Sequence, residues 1–98
     1  MREKQFYVYM LASRIGGTLY IGVTSRLLER VSEHRDGVVA GFTKRYDVHR
    51  LVWFEAHGTA EGAIGREKQM KERRRAWKVR LIQELNPNWD DLFPGLAS

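Results

Sequence analysis

Between residues 5 and 13 both alternating sets of side chains are largely apolar: Phe6, Val8, Met10 and Ala12 interleave with Tyr7, Tyr9 and Leu11. A stretch with two apolar period-2 faces predicts a strand buried on both sides, hence a central one. The Gly16-Gly17 pair signals a turn, and residues 18–23 read as a second strand, so the two should form an antiparallel hairpin. A helix follows, with N-cap oxygens on Thr24 and Ser25, a buried stripe of Leu27, Leu28 and Val31, and a stop at Gly37. Residues 38–47, containing Gly41, Thr43 and Lys44, read as loop, and residues 48–55 as a third strand through Leu51, Val52, Trp53 and Phe54. Residues 60–85 carry helical periodicity at Ala60, Ala63, Ile64, Met70, Trp77, Leu81 and Leu85. A break near residues 73–75 should divide them into two helices, the second ended by Asn86-Pro87, because proline disfavours helix at the preceding residue. In the remaining tail Trp89, Leu92 and Phe93 are able to fold back on the body. The order β-β-α-β-α-α predicts an α+β domain with a three-stranded antiparallel sheet flanked by helices. It should span residues 1–98 as one unit, with a core over 5–86 and a tail over 87–98.

Composition narrows the chemistry. The 98 residues contain no cysteine, which excludes disulfides, thiolate metal sites and cysteine nucleophiles. No apolar run approaches a membrane span and the first residues lack the apolar core of a signal peptide, so the cytoplasm is the expected compartment. Lys and Arg number 17 against 12 Asp and Glu, a net charge of +5. Residues 66–80 hold eight basic side chains against Glu67 and Glu72, so one segment carries the whole excess. Such a run is either a solvated helix face or a surface that meets phosphates.

Three groups of residues invite a chemical reading. Arg30 and His34 are one helical turn apart on a shoulder of the first helix's apolar stripe, either as ordinary surface residues or as a pair pointing together across the sheet edge. Glu67 lies three residues after Ile64, four after Ala63 and three before Met70, which turns its carboxylate toward the core. Carboxylates are seldom buried without a partner, so Glu67 is either an ion-pair partner of a nearby arginine or a metal ligand or acid/base group. Tyr9 and Tyr20 stand on the two hairpin strands as potential cross-strand neighbours, and Gly22 beside them suggests a close backbone approach.

In this order the residues resemble the GIY-YIG endonucleases. Tyr7-Val8-Tyr9 and, eleven positions on from Tyr9, Tyr20-Ile21-Gly22 are similar to that family's paired motif. Arg30 stands ten residues after Tyr20, where the family carries its catalytic arginine, and His34 stands at a frequent histidine position. Glu67 matches the metal-binding glutamate, and Asn86 resembles a polar residue that often closes the domain. The resemblance covers roughly residues 5–86. Gly41-Phe42-Thr43-Lys44 and Asn86-Pro87-Asn88-Trp89 look like the small stand-alone bacterial branch that includes YhbQ-like proteins. The first motif departs from its name in having Tyr7 where glycine is expected, which spares Tyr9.

The resemblance implies a metal-dependent DNA endonuclease of low sequence specificity, in a setting such as DNA repair or recombination. One Mg²⁺ or Mn²⁺ ion would be held by Glu67, since such an ion keeps several waters and can be bound by one carboxylate plus substrate phosphate. Arg30 would stabilise growing phosphoryl charge, Tyr9 or Tyr20 would take the proton of the attacking water, and His34 would orient that tyrosine or contact phosphate. Lys44, Arg66, Lys71, Arg73, Arg74, Arg75 and Lys78 would hold the nucleic-acid backbone without reading bases. The form of the substrate (duplex, branched, single-stranded or RNA) stays open. The alternative is a module that binds nucleic acid on this fold without turnover.

Overall fold

The computed structural model describes residues 4–38 and 41–97. Strand β1 (Phe6–Ala12) pairs antiparallel with β2 (Leu19–Thr24) on one side and β3 (Arg50–His57) on the other, giving the sheet order β2-β1-β3. The doubly apolar strand is therefore the central one. One sheet face, with Tyr9 and Leu11, packs on Leu27 and Val31 of helix α1 (Leu27–Arg35), together with Val48 and Leu51. The opposite face, with Val8, Met10, Ala12 and Ile21, packs on Ala63 and Met70 of helix α3 (Ala60–Glu72) and on Ile82 of helix α4 (Arg75–Leu85). Met10 pairs with Trp53 and Leu11 with Leu51, so Val52 is an extra residue in β3. This irregularity puts Val52 and Trp53 in the same core layer although they are adjacent in sequence.

Several local expectations are corrected. Thr24 accepts a hydrogen bond from the Arg26 amide, and α1 starts without a side-chain cap. The segment read as loop contains a short helix, α2 (Phe42–Arg45), while residues 39 and 40 lie outside the described residues. Leu28, Ile64 and Leu85, assigned to buried stripes by period, are exposed. A three-stranded sheet is too narrow to cover a wide stripe on every helix, and the buried apolar side chains of α1, α3 and α4 are Leu27, Val31, Ala63, Met70 and Ile82. The expected break lies at Arg73 and Arg74, both extended, and Arg75 fastens the elbow by donating to the Gly16 and Gly17 carbonyls at 2.8 and 2.7 Å. Among the described residues, no helix is long and apolar enough to cross a membrane.

The tail does fold back, and it completes the core. Asn86 ends α4 by donating to the Val52 and Asp90 carbonyls and accepting from the Asp90 amide, and Trp89 is buried behind it. Asp91 then acts as a clasp. Its Oδ1 accepts from the amides of Leu51 and Phe93, and its Oδ2 meets Arg35 at 2.5 Å. Burial alone would raise the Asp91 pKa, but the Arg35 guanidinium and these amides hold it below the ordinary carboxylate range. A last short helix, α5 (Phe93–Ala97), lies against α1, with Arg35 over the Phe93 ring. Asp91→Ala strands the Leu51 amide and should cost about 1–3 kcal/mol in urea unfolding. Unchanged stability would show that the clasp is not holding the tail.

Candidate nuclease site

Tyr9 sits at the middle of β1 with 1% of its surface exposed. Its strand partner is Gly22, and a Cβ at Gly22 would lie 2.5 Å from the Tyr9 hydroxyl and 2.6 Å from Cζ. The phenol thus crosses the second motif's glycine, and the absence of a side chain there lets it do so. Its Oη lies 3.0 Å from His34 Nε2, and His34 Nδ1 lies 2.9 Å from Thr43 Oγ1. All three residues are buried. A buried hydroxyl without a partner is costly, so this chain of contacts is what permits a tyrosine in the central strand. Both ring nitrogens of His34 are engaged, Nε2 by Tyr9 and Nδ1 by Thr43.

Tyr20, across from Leu11, lies on the same sheet face, its ring 6.2 Å from Tyr9 and 5.2 Å from His34 between centroids. It is only half-buried. Burial, followed by the neighbouring Tyr20 phenol, raises the Tyr9 pKa well above the ordinary tyrosine value, and Arg30 opposes this without cancelling it. Arg30 projects from α1 with a half-exposed side chain, 3.4 Å from Glu33. Burial alone would lower its pKa, but Tyr9 and Glu33 outweigh that and raise it, so it is a permanent cation beside the tyrosines. Burial, then the Arg30 charge, lowers the His34 pKa against a weaker pull from Glu33, so its imidazole is neutral near pH 7.

Glu67 is not in this group. It lies on α3, which covers the other sheet face, and its partner is Lys71 at 3.2 Å rather than an arginine. Its side chain is 19% exposed, so the core-facing expectation is met only in part. The two faces meet at the outer edge of β2. There a cavity of roughly 240 Å³ is lined by Tyr20 and Phe42 from one side and by Lys71 and Lys78 from the other. Among the described residues, no three His, Cys, Asp or Glu side chains are grouped to hold a metal. A single carboxylate can hold a hard cation that retains most of its waters, but Glu67 is engaged by the Lys71 ammonium and would have to be released from it first.

The basic residues separate into two sets. Lys71 and Lys78 line the cavity beside Tyr20, Lys44 lines a neighbouring one beside Phe42 and Tyr46, and Arg73 and Arg74 are exposed at the elbow. Arg66 is engaged by Glu55 and Gln69, and Arg75 by the hairpin turn. Thr43 and Phe42 were not singled out as site residues by sequence. Thr43 contacts a residue nine positions away through a helix too short to show a period, although any buried histidine requires a second partner.

Gly22→Ala should displace Tyr9 and cost about 1–3 kcal/mol, the range for overpacking, as read by urea unfolding. Equal stability would mean the phenol does not rely on that gap. For His34 the sign follows from its lowered folded pKa. The unfolded chain takes up the proton first, so stability is whole above about pH 6.5 and falls as pH drops from there toward the folded value. Melting temperatures between about pH 7.5 and pH 5 should therefore decline more steeply in the wild type than in His34→Gln. Equal slopes would contradict a buried neutral imidazole.

Comparison with known proteins identifies the family. The GIY-YIG catalytic domain matches residues 5–80. A UPF0213 protein of Pediococcus pentosaceus is 34% identical over 79 residues, covering 81% of this chain and 82% of its own. A UPF0213 protein of Syntrophus aciditrophicus is 38% identical over 82 residues, covering 83% and 92%. The solution NMR structure of a UPF0213 protein from Bacillus halodurans superposes with a TM-score of 0.55 at 28% identity, covering 89% of this chain and 92% of that one. The chain belongs to the GIY-YIG family, among small relatives of the UPF0213 group.

Proposed function

We propose that this protein is a metal-dependent nuclease that hydrolyses phosphodiester bonds, with DNA as the substrate and little sequence preference. The observation that carries this reading is the β2 edge. There Tyr20, whose ring neighbours the buried Tyr9–His34–Thr43 chain, opens into a cavity walled by Lys71 and Lys78; Lys71 is paired with the partly buried Glu67, and Arg30 acts on Tyr9. Tyr20 would take the proton of an attacking water, a reading supported by its reaching the cavity while Tyr9 is buried and kept protonated. Arg30 stabilises the charge that grows on the phosphoryl oxygens. His34 holds Tyr9, and through it the environment of Tyr20. Glu67, released from Lys71, would hold the divalent cation, which when bound supplies Lewis-acid stabilisation of the phosphate. Lys71, Lys78, Lys44, Arg73 and Arg74 hold the backbone, a contact that carries no sequence information. The tail's share of the core supports treating residues 1–98 as one functional unit.

Cleavage of supercoiled plasmid and of single-stranded oligomers tests this. Turnover is expected with Mg²⁺ or Mn²⁺ and not with EDTA. Arg30→Ala should lose roughly 10²–10³ in rate, the effect of removing one electrostatic stabiliser, and keep most DNA affinity. Glu67→Gln should abolish cleavage and the rise in melting temperature given by metal with DNA. Without metal, the same variant should lose no more than about 0.5 kcal/mol, because a helical pair one turn apart contributes little. Tight binding without turnover under every condition would favour the non-catalytic module, and wild-type cleavage by Glu67→Gln would remove that residue from the site.

A further inference from the structure

Phe42 and Tyr46 are 46% and 47% exposed, and neither belongs to the apolar layer on either face of the sheet. Aromatic rings gain more from burial than most side chains, so two left half in solvent side by side mark a surface that meets something. The turn that carries them is held from its inner side. Buried Thr43 is 2.9 Å from His34, and its carbonyl accepts from the Val48 amide at 2.8 Å. The Tyr46 amide donates to the Phe42 carbonyl at 3.0 Å. Phe42, Lys44, Arg45 and Tyr46 are all exposed on this anchored turn.

The Phe42 and Tyr46 rings lie 4.8 Å apart between centroids, and Phe42 stacks on Tyr20 at 6.4 Å with 29° between their planes. A row of aromatics thus leads out of the cavity at the β2 edge, which Phe42 lines, into an open one of roughly 770 Å³ lined by Gly41, Phe42, Lys44, Arg45 and Tyr46. Among the described residues, this lining holds two cations and no carboxylate, and Arg45 lies over the Tyr46 ring at 5.5 Å. Asp47, next in sequence, is paired with His49 at 3.2 Å. Aromatic faces interleaved with cations match a nucleic-acid strand whose bases are unstacked, since each base offers a π-face and each phosphate a charge. In a duplex the base faces are covered by their neighbours, and only the phosphates remain to be met.

We propose that Phe42 and Tyr46 form a stacking platform for the bases of an unpaired DNA strand, with Lys44 and Arg45 meeting its phosphates. The preferred substrate then carries unpaired nucleotides beside the bond at the β2 edge. That last placement rests on the function proposed above, whereas binding to the platform does not. Stacking tolerates any base, so the platform adds a preference for strand form and none for sequence.

Fluorescence anisotropy in EDTA, with a short oligothymidylate, an abasic oligomer of equal length and a blunt duplex, separates affinity from turnover. The wild type should bind the oligothymidylate roughly 10-fold or more tighter than the abasic strand, the usual worth of a stacked base. Tyr46→Ala should lose most of that difference and Tyr46→Trp should keep it, with duplex affinity unchanged in both. The salt slope on the single strand should stay the same in Tyr46→Ala and become shallower by roughly 0.7 in Arg45→Gln, as one phosphate contact is lost. Equal wild-type affinity for the base-bearing and abasic strands overturns the platform, even if Tyr46→Ala fails to fold. Wild-type affinity for oligothymidylate in folded Tyr46→Ala also overturns it and would leave the rings to a protein partner. An equal loss on duplex and single strand overturns the preference for unpaired nucleotides. Base-dependent binding with no cleavage in Mg²⁺ or Mn²⁺ would refute the nuclease reading and uphold the platform.

Discussion

The structure depends on one constraint: the central strand is buried on both faces and still carries a phenol hydroxyl. A polar group at that depth must be hydrogen-bonded, and no backbone partner is free inside a paired sheet. The solution draws on three other elements. Gly22 on β2 makes room for the ring, His34 on α1 meets the hydroxyl, and Thr43 on α2 meets the histidine. Each needs the next to be in place, so the hairpin, α1 and α2 are tied to one another through side chains rather than through backbone pairing. The C-terminal clasp serves the same arrangement from behind, since Asp91 joins the helix that carries His34 to the first residues of β3.

A second consequence concerns where chemistry can occur. The sheet separates the tyrosine group from Glu67, which sits on the helix covering the opposite face. The outer edge of β2 is open to both sides. An edge strand normally presents unpaired backbone groups that other chains can recruit. Here the edge carries Tyr20 and is flanked by Lys71 and Lys78, so it is charged and concave, suited to a phosphate backbone. In this reading the substrate runs along the edge and draws on residues from both layers, which neither layer could supply alone.

The parts of this account that the sequence reveals are those governed by period and by local breakers. The doubly apolar strand, the Gly16-Gly17 hairpin, the elbow at Arg73 and Arg74 and the stop at Asn86 all follow from spacing over a few residues. Tyr9, Tyr20, Arg30, His34 and Glu67 likewise resemble the motif positions of the GIY-YIG family in the sequence itself. What it does not reveal depends on distance along the chain. Arg75 bonds carbonyls 58 and 59 residues away, a contact that no local pattern contains. Ile64 and Leu85 fit the helical period and yet are exposed, because period marks a face while the width of a three-stranded sheet decides how much of that face is covered. Thr43 escaped because one helical turn has no periodicity to read.

The central claim is that one substrate engages both layers at the β2 edge. Backbone amide shifts of nitrogen-15-labelled Glu67→Gln protein, titrated with a short DNA oligomer, test it most directly. The account predicts coincident perturbations at Tyr20, Phe42 and Lys44 on one side and at Lys71 and Lys78 on the other, with β3 and the tail beyond Asn86 unmoved. Perturbations confined to one layer, or centred on β3, would contradict it.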